Sequence, residues 1–394
     1  MKKRTQTAAT IGMLIAGLAA PASAQLVIPS DGSDGALNIT SNTVIDLSKA
    51  ITGSWSNASS GNGIYDPTQW AVVFKYSSVN ISNGATVTFS DHYANPPVIW
   101  LVQSNVSISG TVNLNGYPGT AAVPYDALLT IAAPGGFRGG AYDAQIGVGD
   151  GLGPGGGANG GGQNNNGRNQ SAYGNPQLVP LIGGSGASWT ASCADGSGPS
   201  GGGAILIAAS GTVTVNGQIT TTGGVGATNE CNGNIGAGGS IRVVGNQVLG
   251  NGSINAATDG RIRVEANSMS AQLNITPNIA LVAPASPPLI FPPAGSPTVN
   301  IVSVAGLTAP ADPQATVAAA PDIGIQTNGP VTVVLQTQNF PTTGTVALRV
   351  VPTYAASWIT NAAFVSGSSA FATWQLTARI PVGYCVLQAH ATSP

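Results

Sequence analysis

Short runs of alternating apolar and polar residues recur along the first two thirds of the chain, separated by Asn, Ser and Gly. The run from Val98 to Asn113 aligns without a gap to the run from Ile205 to Thr220, 107 positions later (205 − 98). Apolar residues at every second position predict β-strands rather than helices. Further copies begin at Gly239 and, 21 residues on (260 − 239), at Gly260. Strand and turn repeating at about 20 residues predict a β-solenoid in which each copy forms one rung.

The alternation also predicts which side chains fill the solenoid interior. The expected inward residues are Ile205, Ile207, Ile241, Val243, Ile262 and Val264. The residues between them, Leu206, Arg242 and Arg263, are expected to point outward, with Arg242 one rung from Arg263.

A glycine-rich insertion at about 117–203 interrupts the rungs. Glycine buries little apolar area and loses much backbone entropy on ordering, so a long, partly mobile insertion is one interpretation. The apolar pieces Leu128–Ala132 and Leu178–Ile182 favour another, in which the insertion is ordered but irregular and folds back onto the solenoid.

Two regions follow the rungs. Proline is concentrated at 282–298, which predicts an extended, semi-rigid linker. Alternating strands with Gly and Pro turns at 299–394 predict a small immunoglobulin-like β-sandwich. The expected fold is therefore all-β: a parallel β-helix (β-solenoid) at 25–281 with a glycine-rich insertion, followed by the sandwich.

The N-terminus predicts export. A basic head, an apolar run from Ile11 to Ala20 and small residues before Gln25 are typical of a cleavable signal peptide at 1–24. No later apolar run is long enough to span a bilayer, and Gln25 is not a lipid-accepting cysteine. We expect a secreted or cell-surface protein, with the periplasm as an alternative.

Charge is scarce. Removal of Lys2, Lys3 and Arg4 leaves 9 basic residues (12 − 3) against 14 acidic ones, a formal net charge near −5. The absence of a basic stripe argues against nucleic acid as a partner. Binding would then depend on shape and hydrogen bonds rather than on electrostatic steering.

Export would place the three cysteines of the chain in an oxidising compartment. Cys193 and Cys231 lie in glycine-rich loops on either side of the second rung copy and are predicted to form a disulfide. Cys385 alternates with Leu387 and Ala389 along one strand face, which favours a buried free thiol. An intermolecular disulfide or a reactive thiol is the alternative.

The densest charged group is Asp259, Arg261, Arg263 and Glu265, joined by Arg242 from the neighbouring rung. These residues are the candidate binding site, because guanidinium groups would grip an acidic sugar. The alternative is structural, with the two carboxylates neutralising the arginines.

Parallel β-helices often house polysaccharide lyases and hydrolases, so an enzyme must be considered. Such enzymes need clustered carboxylates for acid–base work or for calcium, and no pair of rungs supplies them. His92 and His390 lie too far apart to predict a zinc site, and His92 is expected to be a loop residue. The Ser30–Gly35 and Gly147–Gly151 segments lack a full set of calcium ligands. No catalytic residue, metal or cofactor is predicted.

Several glycine-rich motifs carry a resemblance. They are Gly135–Gly140, Tyr173–Asn175, Leu181–Gly186, Gly202–Ile207 and Thr212–Gly217. Across about Val98–Glu265 the chain resembles glycine-rich, Sec-exported bacterial β-helix surface proteins and adhesins of mostly unassigned function. The resemblance implies architecture and no catalytic residue.

We therefore expect a non-enzymatic exported protein with a structural, adhesive or glycan-contacting role, and polysaccharide or other surface proteins as partners. One alternative is a polysaccharide lyase or hydrolase of the β-helix type, using Arg261, Arg263 and Glu265. A further alternative is a subunit of an extracellular filament or matrix.

Overall fold

The computed structural model describes residues 26–121, 131–143, 145–156, 174–189, 196–226, 234–310 and 323–394. The predicted signal peptide at 1–24 and the predicted Cys193–Cys231 disulfide lie outside these residues. Within them, Cys385 is a free cysteine.

Short strands make up the first part of the chain. In order they are β1 Ala36–Ile39, β2 Thr43–Ile45, β3 Ile51–Thr52, β4 Ile64–Asp66, β5 Ala71–Tyr76, β6 Ser78–Ile81, β7 Thr86–Phe89, β8 Val98–Val102, β9 Val106–Ile108, β10 Thr111–Asn113, β11 Thr120–Ala121, β12 Ala141–Asp143, β13 Gly147–Val148, β14 Gly196–Ser197, β15 Ala204–Ala209, β16 Thr212–Val215, β17 Gln218–Thr220, β18 Ser240–Val244, β19 Gln247–Leu249, β20 Ser253–Asn255, β21 Arg261–Glu265, β22 Ser268–Met269 and β23 Asn274–Thr276. A short 3-10 helix, Leu47–Lys49, lies between β2 and β3.

All of these strands except β11, β12, β13 and β14 build a three-sided solenoid. Sheet A has the strand order β1-β6-β9-β16-β19-β22, and sheet B has β2-β7-β10-β17-β20-β23. Sheet C has the order β21-β18-β15-β8-β5-β4-β3 and is parallel except where β4 meets β5. The register pairs Val98 with Ile205, Ile205 with Ile241, and Ile241 with Ile262. The gapless repeat and the solenoid that it predicts are confirmed.

The interior of the solenoid is a continuous apolar core. The predicted inward residues Ile207, Val243 and Val264 belong to it and are fully buried. Leu47 in the short helix is also fully buried and belongs to this core near the first rung. Because each rung places aliphatic side chains on those of the next, the stacking buries what a single rung could not.

In the glycine-rich insertion the strands β11, β14, β12 and β13 form a small antiparallel sheet, and the other described chains hydrogen-bond in a different pattern. The backbone N–H to O=C pairs of the chain at 183–187 are Gly183 to Gly135, Gly184 to Gly202, Gly186 to Leu152 and Ala187 to Pro199. Bonds to one neighbour recur every third residue. With the bond from the N–H of Ala237 to the carbonyl of Ser185, this chain bonds four neighbours, whereas a strand bonds two. Three residues per turn is the geometry of polyproline II. This lattice needs glycine, because a Cβ at Gly201 would overlap the carbonyl oxygen of Gly184.

A β-sandwich forms the C-terminal region. Its strands are β24 Thr298–Val304, β25 Leu307–Thr308, β26 Pro330–Gln338, β27 Thr345–Pro352, β28 Trp358–Asn361, β29 Ala363–Ser368, β30 Phe371–Arg379 and β31 Cys385–Thr392. They form two antiparallel sheets with the orders β25-β24-β26-β30-β29 and β28-β27-β31. Val333, Leu348 and Trp374 from both sheets meet in one core. The predicted all-β class, a solenoid followed by a sandwich, is confirmed.

The sandwich contacts the glycine-rich lattice. Asp150 is buried, and its Oδ2 accepts a hydrogen bond from the backbone N–H of Ser357 at 2.7 Å. The guanidinium of Arg349 lies 3.9 Å from the same oxygen and donates to the carbonyl of Gly153 at 3.2 Å. The aspartate of the Gly147–Gly151 segment therefore binds protein groups of the sandwich.

Candidate functional site

The charged cluster lies on the outer side of sheet C. Arg242 pairs with Arg263 on the next rung, which is the predicted stacking. Glu265 is two residues after Arg263 on the same strand and so shares its face. The three side chains therefore meet at one point outside the solenoid core.

Glu265 joins the two arginines through one carboxylate oxygen. Its Oε1 lies 2.9 Å from Nε and 2.8 Å from Nη2 of Arg242, and 2.7 Å from Nε of Arg263. The side chains of Arg242 and Glu265 are 2% and 4% exposed, whereas that of Arg263 is 20% exposed. The cluster is thus a buried ion pair with a second, partly exposed guanidinium beside it.

Burial lowers the pKa of Arg242, while the adjacent Glu265 carboxylate opposes this by favouring the charged form. A second contact helps to hold the guanidinium, since Nη1 of Arg242 donates to the carbonyl of Leu289 at 2.6 Å. Both ends of this guanidinium are therefore engaged by the protein itself.

The other two candidate residues lie nearby. Asp259 Oδ2 accepts a hydrogen bond from the backbone N–H of Gly238 at 3.2 Å. Arg261 pairs with Ser240, and its guanidinium lies against Gly174. The contacts thus bring together Arg242, Arg263 and Glu265, and the binding role assigned to the five residues stays a prediction.

Apolar segments from distant parts of the chain cover the outer side of sheet C. Leu206, expected to point outward, is 1% exposed. It belongs to a second apolar cluster with Leu26, Leu181 and Ile290, among others. Part of the predicted proline-rich linker, together with the predicted returning piece at Leu178–Ile182, therefore packs on the solenoid.

Lys75 is the cation at the other end of this covered face. Its side chain is 3% exposed; Nζ lies 3.0 Å from Asp31 Oδ2 and donates to the carbonyl of Asn57. Partial burial favours the neutral acid, but hydrogen bonds from Ser33 and Lys75 outweigh it and lower the pKa of Asp31 from 3.8 to about 2. In the Ser30–Gly35 loop, which faintly resembles a calcium loop, this carboxylate binds a lysine.

Sheets A and B present a different surface. In the strands described, neither sheet contains a charged residue. On sheet A the register aligns Asn80, Ser107 and Thr214 in an outward column that ends at the exposed Leu249 of the next strand. A matching column on sheet B consists of Thr86, Thr111, Gln218, Ser253 and Asn274. We call these two columns the neutral ladders.

The side chains of the neutral ladders are available to a ligand. All are partly or fully exposed, and none makes a side-chain hydrogen bond to another described residue. By contrast, Thr220 of the next sheet B column is buried and donates to Asn115 Oδ1 at 2.7 Å. Reasoning from the sequence missed the ladders, although the aligned pairs Ser107/Thr214 and Thr111/Gln218 were a signal for them.

Two pockets of the described surface can be compared with the charged cluster. A shallow depression of about 450 Å³ lies on the sandwich at Thr360, Val365 and Gln375. A cavity of about 10 Å³ lies between Ile99 and Ile290. No charged residue lines either of them, so neither has the carboxylates that glycosidic-bond chemistry needs.

The described residues also contain no group of three or more His, Cys, Asp or Glu side chains able to hold a metal ion. His92 is 4% exposed, its ring centroid lies 4.3 Å from those of both Tyr65 and Tyr93, and its Nδ1 accepts from the backbone N–H of Ala94. No helix in the described ranges is long and apolar enough to cross a membrane.

Comparison with protein-family models, curated proteins and solved structures finds no match to the chain. The coarse architecture therefore rests on the structure alone: a mostly-β protein with stacked parallel sheets. The resemblance to exported surface proteins and adhesins stays a prediction.

Proposed function

We propose that this is an exported, non-enzymatic protein that contacts glycans or other surface components through the outside of a rigid solenoid. The observation that carries the proposal is the contrast between its outer faces. The charged face of sheet C is covered, and its principal charges bind one another, whereas the neutral ladders are open.

Engagement of the charged residues supports a non-enzymatic role. A base or acid must reach the substrate proton, and the Glu265 carboxylate is 4% exposed and already accepts from two guanidinium groups. The Leu289 carbonyl and its neighbour Ile290 further close off Arg242. These contacts disfavour the alternative of a polysaccharide lyase that uses Arg261, Arg263 and Glu265.

Rigidity supports a binding or structural role. The stacked core and the glycine lattice hold the outer side chains at fixed spacings, so little conformational entropy is lost when a ligand binds. The predicted signal peptide would deliver such a surface outside the cytoplasm, as secreted or cell-surface material.

The alternative of a filament subunit has one observation in its favour. Strands β1, β2 and β3 end their sheets, and Val44 and Ile51 are exposed there. Unpaired strand edges can accept another chain. Sedimentation of the mature chain over a range of concentrations tests this alternative, which predicts growth beyond a small oligomer.

To test the non-enzymatic proposal, the mature chain, starting at Gln25, is incubated with acidic and neutral polysaccharides. Each incubation is done with and without calcium. We expect no release of shorter products. Products that disappear in Arg263→Ala, in a variant that keeps the wild-type melting temperature, would overturn the proposal and favour the lyase.

A further inference from the structure

We propose that the neutral ladders of sheets A and B are the binding surface for a neutral polysaccharide that lies across the rungs. This inference rests on the proposed function and names its ligand class and its surface. Four features of the described residues carry it: chemistry, charge, spacing and the small apolar content of the ladders.

The chemistry of the ladders matches sugar hydroxyls. Thr and Ser hydroxyls and Asn and Gln amides each donate and accept hydrogen bonds, as sugar hydroxyls do. On sheet A the side chains of Asn80, Ser107 and Thr214 make no hydrogen bond to the side chain or backbone of another described residue. A ligand can therefore bind them without breaking internal contacts.

The absence of charged residues from these described strands favours a neutral polymer as the ligand. Neither sheet has a charged residue in its described strands, so an acidic polysaccharide would find no cation to pair with. Near the first rung, Lys49 and Asp46 lie 3.3 Å apart and neutralise each other. Without a charge to pair with, binding should be almost independent of salt.

The spacing suits a repeating ligand. Parallel strands lie about 4.8 Å apart, so the four steps between the five strands of the sheet B ladder span about 19 Å. One hydrogen bond contributes only about 1 kcal/mol, but repeated contacts along one chain raise the overall affinity. A polymer gains from such a surface, whereas a single sugar does not.

The low apolar content favours a glycan over a second protein. Protein interfaces are enriched in aromatic side chains at their centres. In the strands of sheets A and B the large apolar residues exposed to solvent are Val44 and Leu249, which lie at separate rungs. Leu249 borders the sheet A ladder at Thr214, and Val44 lies in another column of sheet B. The ladders themselves consist of hydroxyl and amide groups.

The test measures retention of the mature chain on immobilised neutral polysaccharides (glucan, mannan, xylan and chitin) and acidic ones (alginate and polygalacturonate). The test variant is Gln218→Glu with Ser253→Asp, which places two carboxylates on adjacent rungs. The matched control is Gln338→Glu with Thr332→Asp, at exposed positions of the sandwich. Thermal melting establishes that both variants are folded.

We expect retention on at least one neutral polysaccharide that persists up to about 1 M salt. Desolvation of the new carboxylates should weaken it at least about tenfold in the test variant. The control variant should bind like the wild type.

Equal retention of wild type and test variant would overturn the choice of surface and leave the proposed function standing. Retention only on acidic polysaccharides, lost in Arg263→Ala, would overturn the inference and move glycan contact to the charged cluster. If the folded wild type is retained on none of the polysaccharides, the inference is overturned as well, and the proposed function is reduced to a structural role. Release of products would instead overturn the non-enzymatic proposal.

Discussion

The outer face of sheet C and those of sheets A and B come from the same repeat but differ in what lies on them. On sheet C, Leu206 and Arg242 point outward and are buried beneath chain that includes Leu181 and Ile290. On sheet A, the outward Thr214 remains partly exposed and free of internal side-chain bonds. The solenoid therefore has one face that contributes to stability and two that remain open for contact.

This difference teaches how to interpret charge in a protein with few charged residues. The charged positions of the rungs attract attention as a candidate site, yet they lie where apolar chain covers them and they bind one another. A buried charge must be paired. The uncharged positions, which look unremarkable in the sequence, are the ones that the fold leaves accessible.

The largest expected effect is at Glu265. Glu265→Gln removes the negative charge that both guanidiniums share and leaves Arg242, 2% exposed, without a counter-charge. We expect a loss of about 3–5 kcal/mol in the free energy of unfolding, because a broken buried pair leaves one charge uncompensated. Urea denaturation of the mature chain measures it.

The double variant Arg242→Met with Glu265→Leu sharpens this prediction. Replacing both members of the pair by apolar residues removes the uncompensated charge, so its stability should return towards that of the wild type. A single Glu265→Gln variant that unfolds at the wild-type urea concentration would contradict the view that this cluster is structural.

The next effect compares two outward positions in neighbouring strands. Leu206→Ala should cost about 2–5 kcal/mol, since it opens a cavity under the covering segments. Thr214→Ala should change stability by less than about 0.5 kcal/mol, because its side chain makes no internal hydrogen bond. Similar losses in the two variants would mean that the faces do not differ as described.

The smallest effect concerns pH at the Asp31–Lys75 pair. The pKa of Asp31 is lowered from 3.8 to about 2 in the folded protein, so its contribution is present above about pH 4 and is lost as the pH falls through about 2. Asp31→Asn should therefore lower the free energy of unfolding at neutral pH. The loss should be less than about 1 kcal/mol, because the Asp31 side chain is 45% exposed.

The gap between Asp31→Asn and wild type should close between about pH 4 and pH 2. Melting temperatures measured across this range test it. A gap that is constant with pH would show that the carboxylate charge does not stabilise Lys75.

Much of the solenoid could be predicted from particular residues. Val98 and Ile205 pair as the repeat predicts, and Arg242 meets Arg263 on the next rung. These predictions succeed because strand periodicity is local and a stacked repeat places equivalent residues in register. The glycine lattice was not predictable in the same way, since its period of three lies in backbone hydrogen bonds rather than in the order of side chains.

By itself, then, the sequence determined the rungs, the register and the division of side chains into inward and outward, because alternation at every second position needs only neighbouring residues. Which outward face stays open was decided by the tertiary structure alone. Leu26, Leu181 and Ile290 are far apart in the chain and meet only on the outer side of sheet C. Whether a face is covered depends on apolar segments that are distant in sequence, because these segments pack wherever the folded chain lets them bury apolar surface.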